Sequence, residues 1–126
     1  MEPVNLFDLA SQQARWLAVR QTAVSSNIAN ANTPGYGAVD VEPFEAILNQ
    51  KTIAMRATHP RHVSTAGTPE AMAVRQVDDD QAILPSGNSV VLEKELMKGG
   101  EVMRSFQLNT AIVKSFHRML MTTTRS

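Results

Sequence analysis

VNLFDLASQQARWLAVRQTAVSSNIANA, residues 4–31, contains neither glycine nor proline, and Phe7, Ala10, Ala14, Leu17, Gln21, Val24, Ile28 and Ala31 recur in it at alternating steps of three and four. This is the seven-residue repeat of a helix that buries one stripe along its length. Leu6, Leu9 and Trp16 widen the stripe at its N-terminal end, while Gln12, Arg15, Arg20 and Ser25 fall on other faces. The knobs are small or medium in size, so a partner helix can approach closely. The helix must end near Asn32, because Thr33 precedes Pro34 and is pushed out of the α region, and Gly35 is free to take a positive φ. Asn32-Thr33-Pro34-Gly35-Tyr36-Gly37 reads as a rigid corner.

A matching pattern closes the chain. Leu92, Leu96, Gly99, Met103, Phe106, Thr110, Val113, His117 and Leu120 repeat the same alternation, broadened by Val91, Val102, Ile112 and Phe116. The turn before them, Ile83 to Asn88, leaves Asn88 and Ser89 as the nearest capping side chains. Between the two helices, Ala38 to Glu42 alternates apolar with polar, as a short strand or extended arm does. Pro43 can begin a helical turn over Phe44 to Leu48. Lys51 to Gln81 shows no sustained period and reads as irregular, with room for a short hairpin.

The expected fold is mainly α, with two long terminal helices packed as an antiparallel coiled coil and an extended or irregular middle that accommodates a short strand or hairpin. Residues 1–36 carry the first helix and the corner, 37–87 the middle segment, and 88–126 the second helix, which completes one helical domain with 1–36. An ordinary two- or three-helix domain closed by the middle segment satisfies the same periodicity.

Composition narrows the function. Twelve basic and twelve acidic residues cancel, so the basic excess of a nucleic-acid binder is missing. There is no cysteine for disulfides, thiolate metal sites or thiol nucleophiles. Met1-Glu2-Pro3-Val4-Asn5 has no positive n-region, and no apolar run reaches the ~18 residues of a membrane span, so neither a Sec-type signal nor a lipid-embedded anchor is expected. Aromatic content is low, with one Trp, one Tyr and four Phe, which suits slender helix pairs that complete their burial against neighbours. His59 and His62 flank Pro60, and with His117 they make a poor metal set; Asp78-Asp79-Asp80 lacks the glycine and terminal glutamate of a calcium loop. No nucleophile elbow or phosphate-cradling loop is present, so no catalytic, cofactor or metal residue is assigned.

Ser26-Asn27-Ile28-Ala29-Asn30-Ala31-Asn32-Thr33-Pro34-Gly35-Tyr36 resembles the N-terminal signature of the flagellar axial proteins, the rod, hook and hook-junction subunits. Thr58-His59-Pro60-Arg61-His62, Ser86 to Val90 and Leu92-Glu93-Lys94-Glu95-Leu96 narrow the resemblance to the proximal rod type. It implies a non-enzymatic structural subunit of the bacterial flagellar basal body that polymerises through its terminal helices and transmits torque. The implied partners are copies of itself, other rod proteins, and basal-body adaptor, MS-ring and export-gate components. The implied location is the rod in the periplasmic space, reached through the flagellar type III apparatus without a cleaved signal peptide. The signature residues are Asn27, Ile28, Asn30, Asn32, Thr33, Pro34, Gly35 and Tyr36. The expected assembly seam is Phe7, Ala10, Ala14, Leu17, Val24, Ile28, Leu92, Leu96, Met103, Phe106, Val113 and Leu120. For the asparagines, capping of the helix end and bonding between subunits both remain open. The rival function is a soluble intracellular helical adaptor or flagellar export accessory protein.

Two departures from the resemblance stand out. Val91 occupies the place of an Asp just before Leu92, which leaves Asn88 or Ser89 to cap the second helix. Gly99-Gly100 lies inside the second stripe at about 1 kcal/mol per Gly relative to Ala, as a hinge or as room for close packing.

Overall fold

The computed structural model describes residues 5–49, 74–77 and 84–125. The first helix, α1, spans Leu6–Ala29. Asn5 stands before it in extended conformation and its Oδ1 accepts from the Asp8 N–H at 3.3 Å, so the helix starts two residues later than Val4. At the other end the Asn30 Nδ2 donates to the Ser26 carbonyl at 2.8 Å, and the Asn30 backbone has left the helical region. The helix therefore stops at Ala29, short of Ala31.

After the corner come β1 (Val39–Val41) and α2 (Phe44–Asn49), whose first turn is closed by bonds from the Ala46 and Ile47 N–H groups to the Pro43 carbonyl. The next described element, β2 (Val74–Gln76), pairs antiparallel with β1 in the register Val39 to Gln76 and Val41 to Val74. The expected short strand is thus one half of a pair, and its other half lies inside the stretch without periodicity. Three residues are too few to set a period.

The last helix, α3, spans Leu92–Thr124 without interruption through Gly99 and Gly100, roughly 50 Å at 1.5 Å per residue. Val91 sits at its N-cap with no side-chain bond. The expectation that Asn88 or Ser89 caps it fails, because both side chains are engaged at the corner.

The two long helices pack antiparallel. Phe7 meets Phe116 edge-on at 5.3 Å between ring centroids, Asn109 Nδ2 donates to the Ala10 carbonyl at 3.0 Å, Gly99 lies against Val24, and Asn27 is bonded to Glu95. Their buried apolar residues are small or medium in size, Ala10, Leu17, Ala23 and Val24 on α1 and Val102 on α3, which suits close helix approach. Ala38, Val41 and Val90 extend this thin core towards β1 and the corner. Trp16 fixes β1 from the side of α1: its Nε1 donates to the Glu42 carbonyl at 2.7 Å, and its ring packs on Phe44.

Candidate assembly surface

The signature turns out to be an intramolecular knot. Asn27 is wholly buried on α1, and its amide serves as a strand neighbour for Val39, accepting from the Val39 N–H at 2.9 Å and donating to its carbonyl at 2.7 Å. Nδ2 also donates to Glu95 Oε2 at 3.0 Å, and Oδ1 accepts weakly from the Tyr36 hydroxyl at 3.4 Å. One amide thereby joins α1, the corner, β1 and α3. The Tyr36 hydroxyl lies 3.1 Å from Ser26 Oγ, which ties the corner back to the end of α1.

A second asparagine closes the corner from the other side. The Asn88 Nδ2 reaches the carbonyls of Asn30, Ala31 and Thr33 at 2.8, 3.0 and 2.8 Å just past the end of α1, where those of Asn30 and Thr33 also accept from the Thr33 and Tyr36 N–H groups, and its Oδ1 accepts from the Val90 N–H. Ser89 Oγ accepts from the Ala38 N–H, and the Gly35 N–H donates to the Ser86 carbonyl. Gly35 and Gly87 both have positive φ, and their turns abut so closely that a Cβ on Gly87 would stand 3.4 Å from the Gly35 Cα. Asn30 joins through Ser26 and accepts from Thr33 Oγ1. Asn32, Thr33, Pro34 and Gly35 present themselves to solvent at the tip.

Charges brace the knot. Asp40 on β1 lies 3.4 Å from Arg20 Nε and 3.3 Å from Lys98 Nζ, which also meets the buried Glu95 at 3.2 Å. Arg20 Nε is buried without a well-aligned hydrogen bond, so its tie to Asp40 is one of charge alone. Its guanidinium lies 5.4 Å from the Trp16 ring centroid. Among the described residues no cluster of His, Cys, Asp and Glu is placed to hold a metal, and no helix is long and apolar enough to cross a membrane. His59, His62, the Thr58 to His62 patch and Asp78 to Asp80 lie outside the described residues.

The residues expected in the seam divide. Ala10, Leu17 and Val24 are buried, Ala14 and Val113 half-buried, and Phe7 touches Phe116, whereas Ile28, Leu92, Leu96, Met103, Phe106 and Leu120 are exposed. Inside the single chain α3 turns Glu95, Gly99, Val102, Asn109, Val113 and Phe116 towards α1. Gly99 and Val113, from one leg of the sequence stripe, face α1, but the other leg, Leu96, Met103, Thr110 and His117, stands one residue beyond Glu95, Val102, Asn109 and Phe116, which make the contact at the same seven-residue spacing. Glu95, Asn109 and Asn88 escaped the apolar pattern because they are polar and their partners are distant in sequence. In all, ten large apolar side chains of α3 remain exposed, from Leu120 at 42% to Met97 at 68%.

A long antiparallel helix pair that leaves ten large apolar side chains of one helix exposed has the surface of a subunit packed by others. Residues 10–36, which hold most of α1 and of the corner, match the family described as flagella basal body rod protein. The chain is 46% identical to the flagellar basal body rod protein FlgB of Agrobacterium fabrum, over 99% of this chain and 96% of that relative. It is 29% identical to FlgB of Bacillus subtilis over 71% and 69% of the two chains, and 37% identical to FlgB of Buchnera aphidicola over 47% and 48%. The chain belongs to the flagellar basal body rod protein family and is a structural subunit of that rod.

Proposed function

We propose that this subunit builds the proximal part of the rod, polymerising through its terminal helices with copies of itself and with other rod proteins, and that it transmits torque along the axis. Residues 1–36 and 88–126 form the helical unit that packs into the rod wall, and 37–87 supply a separate contact surface. At its base the assembly meets basal-body adaptor, MS-ring and export-gate components, and the chain arrives through the flagellar type III apparatus. The observation that carries the reading is the uncovered apolar surface of α3. With roughly 200 Å² of surface on a large side chain, ten such residues at about half exposure leave on the order of 1,000 Å² of apolar side chain open in total along one helix. Helices locked by interdigitated side chains resist sliding, which suits a shaft under torsion.

The test is to tag the chain and purify basal bodies from cells that carry it. The tagged chain should co-purify with the rod, and removal of Met1 to Leu9 should abolish its export and incorporation. A chain that stays in the cytoplasmic fraction of motile cells would instead fit the adaptor.

A further inference from the structure

Resting on that rod-subunit reading, we propose that α3 carries two different apolar strips, one on each flank of its contact with α1, and that the strip of one copy packs against the opposite strip of the next copy. At about 100° per residue, with Val102 marking the direction of α1, Leu92, Leu96, Met103 and Met121 lie about 80–120° to one side. Met97, Leu108, Ile112 and Met119 lie about 80–140° to the other. All eight are exposed, between 44% and 68%. Each strip holds one exposed charge, Lys114 in the first and Glu101 in the second, whereas the back of the helix between them carries Glu93, Arg104, Gln107 and Arg118, all exposed, so one neighbour cannot cover both strips without burying three further charges.

The occupant follows from area and symmetry. Each strip offers roughly 500 Å², against about 800 Å² per partner in a stable two-body interface, so each contact is weak and forms at high subunit concentration. The strips differ in residue and position, so two copies cannot satisfy both by a two-fold axis. Pairing one strip with the other is a heterologous contact, which propagates as a ring or an open helix. A copy of this chain is therefore the occupant that covers both flanks with one kind of contact and continues a rod.

The experiment uses the full chain. Leu96→Glu with Met103→Glu blocks the first strip, and Leu108→Glu with Ile112→Glu blocks the second; all four residues are exposed in the single chain, so its helix content should be unchanged by circular dichroism. In sedimentation equilibrium over the micromolar to millimolar range, the unsubstituted chain should form a growing series of oligomers. Each blocked variant alone should remain monomeric, and a mixture of the two should stop at one-to-one dimers, each variant supplying its intact strip. A blocked variant that still dimerises with itself would overturn the strip-to-strip contact. A monomeric unsubstituted chain throughout the range would overturn the second copy as occupant and assign the flanks to other rod proteins, while co-purification with basal bodies would still stand. Should either variant lose helix, Met103→Cys and Leu108→Cys in this cysteine-free chain provide the same test. Oxidised equimolar mixtures should give mixed disulfides well beyond the twofold excess over each homodimer that random pairing yields, and a mixed share at or below that ratio would refute the proposal.

Discussion

Replacing Asn27 by Ala should be among the most destabilising single changes at the corner, and its cost can be built from the bonds it breaks. The substitution removes the partners of both the N–H and the carbonyl of Val39 and one donor to Glu95, whose side chain is 3% exposed. A buried backbone group left unpaired costs about 1–3 kcal/mol, and a hydrogen bond to a charged group contributes about 1.5–3 kcal/mol. Val39 is only half-buried, so water repairs part of its loss, which sets the total near 3–5 kcal/mol. Urea unfolding followed by circular dichroism reads the loss as a lower midpoint at constant slope. A double-mutant cycle with Glu95→Ala isolates the link between the helices: the double variant should be less destabilised than the sum of the singles by about 1.5–3 kcal/mol. A loss below about 1 kcal/mol for Asn27→Ala, or additivity within about 0.5 kcal/mol, would refute the view of this amide as the joint between α1, β1 and α3.

Asn88→Ala should cost about 2–4 kcal/mol in the same assay, because the carbonyls of Asn30, Ala31 and Thr33 lose their shared donor and the Val90 N–H its acceptor. Gly100→Ala should stabilise the isolated chain by about 1 kcal/mol, since nothing stands within 4 Å of the added methyl group; an unchanged or lowered midpoint would point to a local constraint at that position. Leu17→Asp and Phe106→Asp should separate folding from assembly. Leu17 is 1% exposed, so the first variant should lose its helical signal, while Phe106 is 48% exposed, so the second should keep that signal yet fail to restore motility to cells lacking the native chain.

The two helices, the corner and the short strand were legible because each leaves a local mark: a period, a Thr-Pro-Gly break, an alternation over Ala38 to Glu42. The rotation of α3 was harder to read. The stripe and the contact face share Gly99 and Val113 but differ by one residue on their other leg, and there the side of α3 facing α1 includes the polar residues Glu95 and Asn109, which an apolar pattern passes over. Asn88 was legible as a capping residue but not as the cap of the other helix, because its acceptors lie 55 to 58 residues away. The signature asparagines could be read either way from sequence; Asn27 and Asn30 spend their amides within the chain, and Asn32 stays at the solvent-facing tip.

The bond from Gly35 to Ser86 and the pairing of Val41 with Val74 bring the chain back beside the point from which it departed. Both anchor points are built from residues of the corner, β1 and β2, so the place where the chain leaves and rejoins the helices is set there. Closure entropy grows only with the logarithm of loop length, about 0.6 kcal/mol for each doubling, so that excursion can be lengthened or exchanged at little thermodynamic expense. The same helical chassis can thus bear different cargoes at its midpoint, as long as the two ends of the insert return to the same pair of moorings.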